Sequence, residues 1–260
     1  VTAEEIVEAL LAAVRPETRV VALTWVHSGT GLKLPARAIA DALAEVNATR
    51  DDAERALLCL DGVHGLGVED AALPKLGCDV FIAGCHKWLF GPRGTGLVWA
   101  KPQAWDVARP VIPSFDATAY RVWMRLLSPR PIPPAAAMTP GGFHSFEHRW
   151  ALGEAFAFHR EIGVGNVRAR VHGLNARLKD ALAQLGHVTL YTPRDPALSS
   201  GIVCFDVRGL HAAQVVERLG ARGIVGTVTP YATLYALLAP GLLTSPAEVD
   251  AAAEAVAALG

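Results

Sequence analysis

Residues 56–64 read ALLCLDGVH and residues 80–87 read VFIAGCHK. Each stretch begins as a short apolar run and ends in polar residues. Asp61 and His64 close the first, and Cys85, His86 and Lys87 close the second. Runs of this length, apolar at every position, predict strands buried on both faces. The form recurs upstream in residues 19–26, RVVALTWV, which lead into His27-Ser28, and downstream in residues 94–100, GTGLVWA. Helical patterns lie among the first of these runs. Thr2 and Glu5 make a capping box ahead of Ile6, Leu10 and Val14, which repeat at four-residue spacing. Pro35 opens a second helix whose stripe is Ile39, Leu43 and Val46. Helices alternating with buried strands predict an α/β fold, a mostly parallel sheet flanked by helices. Ligands of such sheets bind beyond the carboxyl ends of the strands. Here those ends carry His27-Ser28, Asp61–His64 and Cys85-His86-Lys87.

The alternation stops after residue 100. Pro129, Pro131, Pro133, Pro134 and Pro140 crowd together with Gly141 and Gly142, which predicts a linker or an ordered crossover. The chain therefore divides into a large α/β domain over 1–128, a crossover over 129–145 and a smaller α+β domain over 146–260. Within the last, Val167, Val171, Leu174, Leu178, Leu182 and Leu185 mark one face of a long helix. Residues 187–191 and 202–207 predict strands, and 211–219 a helix. Ser245 and Glu248 make a capping box, with Pro246 in the first turn of a final helix. From Gly223 to Ala247 no residue is charged, a length that could span a bilayer. Pro230, Pro240 and Pro246 interrupt it, so a strand, a loop and a helix start fit better.

Composition narrows the function classes. At 52% apolar and 19% charged residues the chain can bury a substantial core. A net charge of −1 argues against a nucleic-acid binder and against a polybasic membrane patch. Four cysteines make no disulfide scaffold, and none sit in a Cys-x-x-Cys pair that would suggest structural zinc. The acidic opening Val1–Glu5 is unlike a signal peptide, which places the chain in the cytoplasm.

Asp61 and Lys87 share one crevice if their strands are neighbours. A buried carboxylate facing a lysine suits pyridoxal 5'-phosphate, which needs a lysine for its Schiff base and an acid to keep its ring nitrogen protonated. Burial and a cationic neighbour such as His86 would help the lysine lose its proton. Spacing alone leaves the plainer alternative open: an ordinary strand-end Asp and a surface Lys.

The wording around these residues is more specific. Asp61-Gly62-Val63-His64, Gly77-Cys78-Asp79-Val80 and the run from Gly84 to Gly96, GCHKWLFGPRGTG, together resemble the class V aminotransferase family. The His-Lys-Trp-Leu-Phe wording at 86–90 is most similar to the isopenicillin-N-epimerase-like branch. Residues 24–31 and 235–250 are similar to further segments of the family, so the resemblance covers nearly the whole chain, most weakly in the middle. It implies the fold-type I architecture of pyridoxal phosphate enzymes and an amino acid substrate. The chemistry implied is transamination, epimerisation or lyase cleavage at Cα or Cβ, in a homodimer. By the same resemblance Lys87 carries the cofactor, Asp61 pairs with its ring nitrogen and His64 lies by the ring. His86 meets the phosphate, and Ser28 lies near the ring oxygen.

Three departures from the pattern stand out. The family has an N-terminal part that supplies the first strands and half of the phosphate cradle, and this sequence begins after it. The resemblance therefore implies an N-terminally truncated member, with a large domain that is partial. Leu237 occupies the place of the family's carboxylate-binding Arg, and leucine cannot make the bidentate pair. The mobile-loop Cys of the desulfurase branch has no counterpart between Gly223 and Tyr235, while Cys204 lies in an apolar run and predicts core. A non-catalytic relative of the family is thus the alternative to an enzyme. A separate alternative is a zinc hydrolase, because His144, Glu147 and His148 fit His-x-x-Glu-His. No third ligand accompanies them, and catalytic zinc needs three, so the residues predict no metal site.

Overall fold

A computed structural model describes residues 1–260 except 113, 140, 141, 143 and 144. The first four strands are β1 (Val20–Thr24), β2 (Leu57–Asp61), β3 (Val80–Gly84) and β4 (Gly96–Ala100), in the order β1-β2-β3-β4. β1, β2 and β3 run parallel, with Thr24 opposite Asp61 and Asp61 opposite Ile82. β4 returns antiparallel to β3. The connection over residues 85–95 is shorter than the dozen or more residues a parallel crossover needs. That reversal puts the Lys87 loop at the carboxyl end of β3.

Helices α1 (Ala3–Ala13) and α2 (Ala36–Asn47) cover one face of this sheet. Ile39 and Leu43 of α2 pack there with Leu58, Leu60 and Phe81, all nearly sealed from solvent. The predicted capping box of α1 forms: Glu5 N donates to Thr2 Oγ1 at 3.2 Å and Thr2 N to Glu5 Oε2 at 2.8 Å. The other face stays open, with Val20, Ile82 and Val98 exposed.

The short helices are α3 (Leu73–Leu76), which precedes β3, and α4 (Pro102–Val107), α5 (Ala117–Trp123) and α6 (Pro134–Met138), which follow β4. Two long helices come next, α7 (Phe146–Ile162) and α8 (Val164–Leu182), separated at Gly163 with φ 88°. The predicted face is buried from Val167 to Leu182, where α8 ends; Leu185 lies just beyond the helix, partly buried against the second core. The second sheet is wholly antiparallel: β5 (Val188–Leu190), β6 (Val203–Val207), β7 (Thr227–Val228) and β8 (Ala236–Leu238), ordered β5-β6-β8-β7. Helices α8, α9 (Ala212–Gly220) and α10 (Pro246–Ala257) pack on it through Leu178, Leu182, Val215, Leu219 and Val256. The uncharged run 223–247 resolves into β7, β8, a loop and the start of α10. Among the described residues no helix is long and apolar enough to cross a membrane.

Two smaller clusters fasten the long helices to the loops at the strand ends. Ala155 of α7 packs on Cys85 and Leu89, and Val167 and Val171 of α8 pack on Val68. The loop after β3 and the turn after β2 are therefore held from behind by helices of the second half of the chain.

Candidate active site

Asp61 is the last residue of β2, and the Lys87 loop leaves β3 next to it. The backbone after Asp61 keeps to the sheet for one more bond, Gly62 N to Ile82 O at 2.8 Å. It then turns, with Gly65 N and Leu66 N both donating to Gly62 O. One Asp61 carboxylate oxygen accepts from Val63 N at 3.0 Å, which fixes its rotamer. The turn ends at Gly67, with φ 88°, where an added Cβ would lie 2.6 Å from the Leu89 nitrogen. Only a residue without Cβ lets the two loops approach so closely.

The Lys87 loop is closed by Cys85 N to Thr95 O at 3.0 Å and Gly91 N to Cys85 O at 2.8 Å. Phe90 sits at φ 59°, a conformation L side chains rarely take, with its ring against Phe158 and His159 of α7.

Asp61, His86 and Lys87 line one open cleft of about 690 Å³. Its floor includes Gly84 and Gly96, which face each other across β3 and β4. Trp105 of α4 and Met138 of α6 add an apolar wall. His64 joins the group through Lys87, whose Nζ lies 2.9 Å from His64 Nε2. Trp88 Nε1 donates to His64 Nδ1 at 3.2 Å. Burial first, and then the charge of Lys87, push His64 down to about 4, against a smaller upward pull from Asp61. The imidazole is therefore neutral at physiological pH.

Ser28 does not line this cleft. Its hydroxyl lies 2.7 Å from the Tyr231 hydroxyl, and Tyr231 stacks on His27 with ring centroids 5.0 Å apart. Leu237 lies in β8 opposite Cys204 and packs against the core beneath the first sheet. Cys204 is fully buried, and burial pushes its thiol up to about 12, while burial likewise raises Cys85. Neither thiol is poised for nucleophilic chemistry. Of the His-x-x-Glu-His residues, His144 lies outside the described residues. Glu147 accepts from the Ser145 hydroxyl at 2.7 Å, and His148 Nδ1 lies 2.9 Å from Arg93 O. No group of three His, Cys, Asp or Glu side chains is placed to hold a metal among the described residues.

The donor set of the cleft fits pyridoxal phosphate. An amine and a carboxylate line one cavity whose floor is two glycines. A Cβ on Gly84 would press on the His86 ring at 2.9 Å, and one on Gly96 would meet Ala83 O at 3.0 Å.

A buried network lies behind the site. Glu69, in the turn after β2, pairs with Lys33 Nζ at 2.9 Å and accepts from Ser200 Oγ at 2.6 Å. It also meets His172 Nε2 at 2.7 Å. Burial would raise the Glu69 carboxyl, but the His172 hydrogen bond and the Lys33 charge outweigh it and hold the group at about 2. The only signal in the sequence is a lysine and a glutamate in segments that are otherwise apolar or turn-forming.

The description "Aminotransferase class-V" belongs to the family whose profile matches residues 3–228. The isopenicillin N epimerase of Streptomyces clavuligerus is 30% identical over 98% of this chain and 64% of its own length. That of Amycolatopsis lactamdurans is 28% identical over 78% of this chain and 49% of its own length. Among solved structures, the cystine C-S lyase C-DES superposes with a TM-score of 0.82 at 18% identity, covering 97% of this chain and 64% of that one. At that identity the likeness shows the fold, which is that of the fold-type I pyridoxal phosphate enzymes. The chain spans less than two thirds of the length of these curated relatives.

Proposed function

The chain belongs to the class V aminotransferase family, and we propose that it is a pyridoxal-phosphate-dependent enzyme acting on an amino acid, with Lys87 as the residue that carries the cofactor. The observation behind this reading is the placement of Asp61 and Lys87 at the ends of adjacent strands, lining one cleft over a glycine floor. Pyridoxal phosphate held there supplies an electron sink for a carbanion at the amino acid's Cα.

Lys87 Nζ would be the amine that holds the cofactor covalently. Asp61, its rotamer fixed by Val63 N, would keep a proton on the ring nitrogen. His86 lines the cleft beside Lys87 and would help hold the phosphate, and His64, in contact with Lys87 Nζ, would help hold the ring. Ser28 lies outside the cleft with its hydroxyl against Tyr231, and this reading gives it no role. Lys87 Nζ would also be the base that moves the proton at the substrate's Cα. Epimerisation, transamination and lyase cleavage differ in where that proton goes next. The similarity to isopenicillin N epimerases supports epimerisation at Cα, and the family supports a homodimer. Four unpaired cysteines support a cytoplasmic setting.

The test is absorbance of the chain with pyridoxal phosphate, followed by borohydride reduction and peptide mapping. A visible band fixed onto Lys87 by reduction, and absent from Lys87→Ala, is expected. A folded chain that gives no such band, or a band retained in Lys87→Ala, would overturn the reading.

A further inference from the structure

The loop that presents Lys87 carries a strained residue. Phe90 follows three residues after Lys87, and its φ of 59° is costly for a bulky side chain. Phe90 N donates to Lys87 O at 3.1 Å, so the strained residue closes the turn on which Lys87 stands. Such strain persists only where the surroundings over-determine the conformation, and it gathers at working sites. Here the surroundings are one face of α7.

His148, Leu152, Ala155 and His159 follow one another at helical spacing along α7, and each meets the loop. His148 Nδ1 lies 2.9 Å from Arg93 O. Leu152 stands where a Cβ on Gly91 would come within 2.9 Å of it. Ala155 packs on Cys85 and Leu89. His159, which is 4% exposed, places Nε2 3.0 Å from Trp88 O, the carbonyl of the residue after Lys87. Its Nδ1 lies 3.1 Å from Ala155 O, one turn back on α7. A carbonyl oxygen only accepts, so His159 donates to Trp88 O from Nε2. A neutral ring with its proton on Nε2 and a doubly protonated ring both carry that N–H. The same imidazole lies 5.7 Å from the centre of the Phe90 ring, and Phe158 meets that ring edge-on at 6.3 Å.

We propose that His159 and Phe90 are positioning residues that clamp the Lys87 loop onto α7, so that Lys87 Nζ stays in the cleft beside His64. Their role rests on Lys87 being the residue that carries the cofactor. His159 fixes the backbone just after Lys87, and the Phe90 ring, seated between His159 and Phe158, holds the turn in its left-handed form. Without those contacts Phe90 would relax to a negative φ and the turn from Lys87 to Phe90 would open. The amine would then approach the cofactor from a wider range of positions, although Asp61 and the glycine floor of the cleft stay in place. The address of Lys87 is thus set by a helix of the second half of the chain, and the sheet alone does not set it.

Two ligands separate the clamp from the cleft. Pyridoxine 5'-phosphate has an alcohol in place of the aldehyde and cannot bond to Lys87, so its affinity reads the cleft alone. The rate at which pyridoxal phosphate becomes fixed to Lys87 by borohydride reads the placement of the amine. In His159→Leu that rate should fall by about 10- to 100-fold, with the affinity for pyridoxine phosphate kept. His159→Gln, which can still donate to Trp88 O, should restore the rate. Phe90→Gly sets two expectations against each other. Glycine accepts the positive φ without strain, so if the backbone conformation alone mattered the rate would not change. The clamp requires a slower rate in folded Phe90→Gly and a wild-type rate in Phe90→Tyr, which keeps the ring. A wild-type rate in either His159→Leu or Phe90→Gly overturns the proposal. Equal losses of rate and of pyridoxine phosphate affinity also overturn it, because they mark a general structural role. A wild-type chain that binds pyridoxine phosphate but never fixes pyridoxal phosphate to Lys87 overturns the cofactor assignment instead. Amide hydrogen exchange of the cofactor-free chain then decides on the clamp by itself. Exchange at Phe90 and Gly91 should be faster in His159→Leu than in wild type, and unchanged exchange would remove the clamp as well.

Discussion

Glu69 is the residue whose removal has the clearest energetic consequence. Its carboxylate is buried and meets Lys33, His172 and Ser200 at hydrogen-bonding distance. Removing one partner of a buried ion pair leaves the other charge uncompensated, at a cost of about 3 kcal/mol or more. Glu69→Gln should therefore destabilise the chain by that order at pH 7. The pH dependence has a definite sign. The folded carboxyl lies at about 2 against an ordinary value of 4.5. Its stabilising contribution is complete above 4.5 and is lost as the pH falls toward 2. Denaturant unfolding at pH 7 and at pH 3 should show a steep acid loss in the wild-type chain and a shallower one in Glu69→Gln. Equal acid slopes would show that Glu69 is not the titrating group. None of this was legible in the sequence. Lys33, Glu69, His172 and Ser200 come from four separate segments, and each alone looks like a surface polar residue. Asp61 and Lys87 were legible because each follows an apolar run directly, so the strand end fixes its address.

At the scale of elements, signals that lie within one element are legible in the sequence, and contacts between loops are not. Helices α1 and α10 were visible from their capping boxes, and α8 from its apolar face, because those signals lie within one element. The antiparallel return of β4 depends on the length of the connection from β3, which the apolar run itself does not encode. The close approach of the β2 turn to the Lys87 loop depends on Gly67, which reads in sequence only as a generic turn residue. Gly67→Ala would place a left-handed backbone under strain of about 1–3 kcal/mol and drive a methyl against the Trp88–Leu89 backbone. Gly163→Ala is the matched control. It shares φ 88°, but its Cβ would meet only the Asn166 side chain, at 3.2 Å. Both variants should lose stability. Only Gly67→Ala should also lower borohydride-trapped cofactor in protein that remains folded, because only it displaces His64 from Lys87. Equal trapping in the two variants would mean that the approach of the loops does not set the site.

Over the whole molecule, the two sheets are fastened by the segment after β1. Leu32 bridges to Ser199, Lys33 N donates to Leu198 O at 2.9 Å, and Thr192 Oγ1 donates to Thr30 O at 2.7 Å. Ile202 and Cys204, from the second half of the chain, lie in the core beneath the first sheet. Lys33 also reaches Pro196 O at 3.3 Å in addition to Glu69, so one side chain ties three segments together. A weak junction would let each half melt separately, as interfaces between domains often do. A junction that shares a core and a buried ion pair couples them. Trp25 and Trp99 belong to the first core, whereas far-UV dichroism reports the helices of both halves. The two signals should therefore follow one urea transition with the same midpoint. Lys33→Ala removes the shared side chain and leaves Glu69 without its closest cation, so it should split the signals or broaden the transition. Separate midpoints in the unmodified chain would show two independently stable halves. The site, built from β2 and β3 but braced by α7 and α8, would then have to survive the loss of its own support.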